Sequence, residues 1–124
     1  MNTKLFSDKA PAAIGPYSQG IEANGYIFIS GQLPVNSATS KLGDGIREQT
    51  KFCLENIRSV LESSGLTMAS VVKTTVFMTD LESFGPMNEI YGAFFQEPFP
   101  ARSTIQVVAL PKGASIEIEC IARR

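Results

Sequence analysis

Histidine is absent from the 124 residues. That removes imidazole acid–base catalysis, Ser–His and Cys–His nucleophile pairs, and His-containing metal sites. Tryptophan is missing too, which leaves eight Phe and three Tyr as the aromatic inventory. The two cysteines, Cys53 and Cys120, lie too far apart in sequence for a CxxC pair and are too few for a four-ligand cluster. They leave either a disulfide or two buried thiols, the second being the simpler reading in a cytosolic chain. Charge is also scarce. Asp, Glu, Lys and Arg make up 19% of the chain, against an ordinary ~25%, so part of the surface is not designed for water. Eleven basic and twelve acidic residues give a net charge of −1, without the basic field that displaces counterions from nucleic acid. The longest basic run, Arg123-Arg124, reads as a solvated tail. No apolar run approaches the ~18 residues of a membrane span, and Met1–Phe6 lacks a signal-peptide core. The expected address is the cytosol.

What is present suits one domain over residues 1–124. A chain of this size buries about two thirds of its unfolded surface, enough for a core without metal or disulfide staples. No repeat or linker divides it. Two short strands, 17–22 and 26–30, flank Asn24-Gly25, a type I′ hairpin signal. A loop follows over 35–45. From 46 to 63, Ile46, Thr50, Cys53, Ile57, Val60 and Leu61 recur in steps of three and four, which predicts a helix stopped by Gly65. The β-branched stretch 71–78 predicts a strand. Asp80 is placed to cap a second helix over about 81–96, with Pro86 in its first turns. Two closing strands, about 103–110 and 115–122, surround the turn residues Leu110–Gly113.

The layout is an α+β domain with two helices and five or six strands. The strands carry apolar residues on both parities, as in Tyr26 and Phe28 against Ile27 and Ile29. Two helices cover only one face of such a sheet. The other face calls for a second copy of the chain, so a homo-oligomer is expected.

Few residues are left to carry chemistry. Arg102 opens an otherwise uncharged strand and offers a fork for bidentate carboxylate binding; a surface ion pair is the plain alternative. Glu117 and Glu119 alternate with Ile116, Ile118 and Cys120, either as a solvent-facing stripe or as a carboxylate able to activate water. Tyr17 can donate a phenolic hydrogen bond, or serve as an ordinary strand aromatic. Ser30-Gly31-Gln32 ends an apolar strand where Gly31 permits close backbone approach, unless it is only a strand-end turn. Asn88 is most simply a polar helix position. Ser, Thr and Cys lack an activating imidazole, and no phosphate loop, EF-hand or zinc spacing is present.

Several of these residues fall in stretches with a wider likeness. Gly15–Gln19, Ile29–Gln32, Asn56-Ile57, Val72–Phe77, Pro100–Ser103, Leu110-Pro111 and Ile116–Glu119 resemble, collinearly over nearly the whole chain, the RidA (YjgF) family. The resemblance implies a chorismate-mutase-like fold, a mixed sheet with two helices on one face, assembled as a homotrimer with a site in each cleft between subunits. It implies hydrolysis of reactive 2-imino and enamine acids, such as 2-aminoacrylate, 2-iminopropanoate and 2-iminobutanoate, to 2-oxo acids and ammonia. No metal or organic cofactor is implied. By the same resemblance Arg102 is the carboxylate-binding arginine and Glu117 the carboxylate that positions water. Tyr17, Ser30, Gly31 and Asn88 line the cleft, and Thr104 stands where many members have cysteine. Alternatives are a regulatory module that binds a 2-oxo or imino acid and, against the absent His and basic stripe, an endoribonuclease.

One geometric expectation follows. If the last two strands pair as a hairpin centred on Lys112-Gly113, Glu117 lies opposite Val108 and Arg102 is six residues farther, roughly 20 Å away. Such a pair reaches one cleft only from different subunits.

Overall fold

Helix α1, Gly45–Glu62, organises the domain. Its apolar spacing turns Cys53, Leu54, Ile57, Val60 and Leu61 into one fully buried stripe; burying a large aliphatic side chain contributes about 1.5–3 kcal/mol. The helix ends in a Schellman motif. Leu66 N–H donates to Leu61 O at 3.0 Å and Gly65 N–H to Glu62 O at 3.1 Å, with Gly65 at φ +79°, a conformation that glycine adopts without a Cβ penalty. Leu66 then packs back on the core.

The computed structural model describes all 124 residues. Strands β1 (Thr3–Leu5), β2 (Gly20–Ala23), β3 (Tyr26–Gln32), β4 (Val71–Met78), β5 (Ala101–Gln106) and β6 (Ile116–Arg123) form one mixed sheet, in the order β1-β2-β3-β6-β4-β5. Helix α2 (Phe84–Ala93) returns the chain between β4 and β5, which pair in parallel; every other pairing is antiparallel. The fold class expected from the sequence is the one observed. Asn24 (φ 53°) and Gly25 (φ 79°) make the β2–β3 turn left-handed at both positions, as a type I′ hairpin requires.

Four details differ from the sequence reading. First, β5 and β6 are not a hairpin. β4 lies between them, with Thr74 beside Arg102 and Phe77 beside Glu117. The turn chemistry at Pro111–Gly113 is real, a 3-10 turn with Lys112 at φ 61°. However, the 107–115 connection is long enough to step over β4, whose Val76 and Met78 are fully buried at the sheet's centre. Second, α2 is shorter than 81–96. Asp80 accepts from Glu82 N–H and caps a 3-10 turn, Leu81–Ser83, before the α-helix begins. Third, the short edge strand β1 was too brief to leave a periodic signal. Fourth, the terminal arginines are exposed, as read, but are part of the fold: Arg123 ends β6, and Arg124 forks onto Glu22 through two 2.9 Å hydrogen bonds.

Strand parity separates the two faces. Ile27, Ile29, Val76, Ile116, Ile118, Cys120 and Ala122 meet the helices in one core. The opposite face has no cover within the chain. Phe28 lies in register with Ile121, and Ile105 with Phe77; Tyr26, Phe28 and Ile105 are each nearly half exposed. Three buried amides hold the loops that frame the sheet. Gln19 bonds Ser7 and Pro11, Asn56 bonds the carbonyls of Leu33 and Val35, and Gln49 bridges Gly43 to Ser115.

Candidate active site

Arg102 projects from edge strand β5 on the helix-covered side, where α2 shapes its surroundings. Its Nη1 donates to Asn88 Oδ1 at 2.7 Å. The guanidinium carbon stands 4.7 Å from the centre of the Tyr91 ring and 5.4 Å from that of Phe84, both within cation–π range. No carboxylate lies within 4 Å: the three ion pairs of the chain involve other residues. The surface ion pair considered for Arg102 is therefore not formed. The charge sits instead on the wall of an open pocket of about 390 Å³, lined by Asn88, Tyr91, Gly92, Phe99, Pro100 and Arg102. A planar cation with one amide bond, two aromatic faces and no counter-ion is well suited to a ligand carboxylate.

Glu117 is built from the other side of the sheet. Its neighbours Ile116 and Ile118 are fully buried toward the helices, so alternation turns Glu117 to the uncovered face. Opposite it, β3 shifts register between Ile29 and Gln32, and Gly31 comes against the carboxylate. A Cβ on Gly31 would overlap Glu117 Oε2 and stand 2.9 Å from its Cδ. Glycine leaves room for the carboxylate in this position by having no Cβ, and its φ is not in the left-handed range. Partial burial pushes the Glu117 carboxyl above the usual range, and the like charge of Glu119 adds to it. A raised pKa makes the carboxylate a better proton acceptor. Gly31 and Tyr17 also line a second pocket, of about 290 Å³, together with Gln19, Gln32 and Lys112.

Arg102 and Glu117 thus fall in two separate groups, one on each face of the sheet. Arg102, Thr74 and Cys120 share one cross-strand row; Ile105, Phe77 and Glu117 share another. The rows are three residues apart and point to opposite faces. Two strand spacings and three residues of rise put the Arg102 and Glu117 Cα atoms about 14 Å apart. Within one chain they do not line one cleft, although the reason is the face they occupy and not the hairpin register.

The remaining candidates have more local placements. Ser30 donates its hydroxyl to Ser18 O at 2.6 Å, tying the 10–19 loop to β3. Tyr17 is about half exposed and accepts from Ile14 N–H at 3.4 Å. Thr104 lies two residues from Arg102 on the same face, outside the pocket wall, and its buried Oγ1 has no hydrogen-bond partner. Cys53 and Cys120 are free buried thiols. Burial raises both pKa values, that of Cys120 to about 12, so neither offers a thiolate. No group of three or more Cys, Asp or Glu side chains converges as a metal site.

Sequence reasoning missed Tyr91, Thr74, Phe99 and Lys112. Tyr91 has the look of an apolar-face residue of its helix, yet it follows Asn88 by three residues, a spacing that stacks both on one helix face. Lys112 read only as turn chemistry.

Residues 7–124 match the family model described as Endoribonuclease L-PSP. The chain is 44% identical to the 2-iminobutanoate/2-iminopropanoate deaminase of Escherichia coli (strain K12), over 100% of this chain and 99% of that protein. It is 50% identical to Reactive Intermediate Deaminase A, chloroplastic, of Arabidopsis thaliana, over 94% of this chain and 63% of the plant protein. Among solved structures it is similar to E. coli TdcF with bound serine, at 40% identity and TM-score 0.94, covering 98% of both chains.

Proposed function

We propose, on the premise that this chain belongs to the RidA (YjgF) family described as Endoribonuclease L-PSP, that it is a hydrolytic 2-iminobutanoate/2-iminopropanoate deaminase. Its relatives in E. coli and Arabidopsis carry deaminase names across most of this chain's length. The observation that carries the reading here is Arg102, an oriented guanidinium without an anionic partner on the wall of an open pocket.

The chemistry asks for little more. A 2-imino acid is already electrophilic at C2, so water attacks without a covalent enzyme nucleophile. Arg102 holds the substrate carboxylate and thereby fixes C2. Glu117 orients the water and takes its proton as oxygen adds to C2, giving a tetrahedral aminoalcohol. Glu117 passes that proton to the nitrogen, and as the C–N bond breaks the hydroxyl proton follows it, so nitrogen leaves as ammonia and the hydroxyl oxygen becomes the 2-oxo group. Tyr17, Ser30, Gly31, Asn88 and Thr104 belong to the proposed lining. No step calls on a metal or organic cofactor.

The complete site is proposed to form between subunits of a homotrimer. Two observations support this. Arg102 and Glu117 are on opposite sheet faces of one chain, and the face with Tyr26, Phe28, Phe77 and Ile105 has no cover of its own. Apolar sheet faces of that kind are rare on soluble monomers. Residues 1–124 are read as one domain protecting the cytosol from reactive imines; no helix is long and apolar enough to cross a membrane.

The test couples a serine or threonine dehydratase to the protein and measures the rate of ammonia release. Acceleration by wild type and its loss in Arg102→Ala are expected; no acceleration, or full acceleration by Arg102→Ala, refutes the assignment. A second reading, a module that binds small amino or 2-oxo acids without turnover, is favoured by the serine bound to TdcF. Affinity and turnover measured on one preparation separate the two. RNA cleavage, suggested by the family's description, would have to proceed without histidine or a basic stripe.

A further inference from the structure

We propose that Tyr91 is a positioning residue, anchored by Thr74, that fixes the plane of the Arg102 guanidinium and so sets the site's preference for a carboxylate. The proposal rests on Arg102 being the carboxylate-binding group. Three contacts converge on the tyrosine. Its ring faces the guanidinium at 4.7 Å. Its hydroxyl shares a 2.7 Å hydrogen bond with Thr74 Oγ1. Phe95 backs the ring, centroid to centroid, at 4.7 Å and a 40° tilt. Thr74 is fully buried and stands in register with Arg102 on the neighbouring strand, so the anchor and the cation are held by the same ladder.

The ring is only 4% exposed, yet Tyr91 lines the Arg102 pocket. A core position needs apolar volume; it does not need a buried hydroxyl that must find a partner. Here the hydroxyl has one, and that bond orients the ring under the cation. Burial raises the phenol's pKa, so the ring stays neutral and does not become a counter-ion. Asn88 takes Nη1 from the side and Tyr91 takes one face, which leaves the rest of the fork for a ligand. An arginine side chain otherwise carries large rotamer freedom, lost on binding; holding it beforehand strengthens binding of a planar anion specifically.

The test uses the assembled protein and two inert probes, 2-oxobutanoate and its uncharged amide, titrated calorimetrically against wild type, Tyr91→Leu and Tyr91→Phe. Wild type is expected to favour the carboxylate. Tyr91→Leu should lose about tenfold in carboxylate affinity with amide affinity little changed, and Tyr91→Phe, which keeps the π face but loses the Thr74 anchor, should show an intermediate loss of about threefold. If the leucine variant does not assemble, Tyr91→Met fills the volume without a π face and carries the same expectation. A carboxylate-to-amide ratio unchanged in Tyr91→Leu or Tyr91→Met overturns the proposal, as does equal loss for both probes, the mark of a merely structural role. A wild-type protein indifferent to the two probes overturns the reading of Arg102 itself.

Discussion

Replacing Gly31 by alanine separates the position of the Glu117 carboxylate from the stability of the fold. The new Cβ would overlap Oε2 and stand 2.9 Å from Cδ and 3.2 Å from Cγ. Those atoms belong to the far end of a flexible side chain, so the fold gives way by rotating Glu117, at a cost of about 1–2 kcal/mol. The carboxylate, however, must move by about 1 Å or more, a displacement that costs on the order of 10²-fold in rate when a reacting group is involved. That corresponds to about 2.7 kcal/mol in the barrier. The expected result is a urea midpoint lowered by about 1 M, too little to empty the folded state, and a hundredfold lower kcat/KM in dehydratase-coupled ammonia release. Adding Gly31→Ala to Glu117→Ala should change little further, because both act on one group. Wild-type kcat/KM in Gly31→Ala, or full additivity in the double variant, would refute the reasoning.

Further outcomes follow from other parts of the structure. Burial and Glu119 both raise the Glu117 carboxyl, so its basic form is depleted as pH falls through that raised value. The kcat/KM profile should show an acid limb above the usual carboxylate range, and Glu119→Gln should move the limb to lower pH. The same shift means that Glu117 favours the folded state at low pH and loses that contribution as pH rises through its folded value. Gln19→Ala removes bonds of 2.7, 3.0 and 2.8 Å to Ser7 N, Ser7 O and Pro11 O, leaving buried groups unpaired. Denaturant unfolding should show a loss of about 2–4 kcal/mol. Thr104→Val removes a buried hydroxyl without a partner, and its unfolding free energy from urea titration should match or exceed that of wild type, by up to about 1 kcal/mol.

The elements whose signals are local were legible in the sequence. The α1 stripe, its Gly65 stop, the Asn24-Gly25 turn and the strand at 71–78 all follow from periodicity and turn chemistry within a few residues. Strand order was not legible. The placement of β4 between β5 and β6 depends on which strand gains most from central burial, and no local pattern records it. The candidate site was readable as residue types, Arg102 and Glu117 above all, because charges in apolar strands stand out. Its supports were not. Tyr91 and Thr74 look like core in sequence, and their role emerges only when the parallel pairing puts Thr74 beside Arg102.

The proposed division of the site between subunits is tested most directly by mixing two variants, each expected to be inactive. Arg102→Ala and Glu117→Ala are each unfolded, combined in equal amounts and refolded together. In a randomly assembled trimer about one cleft in four pairs an intact Arg102 from one subunit with an intact Glu117 from its neighbour. The account predicts recovery of about a quarter of wild-type ammonia release, while either variant refolded alone stays inactive. A mixed assembly that stays as inactive as its parents would contradict it.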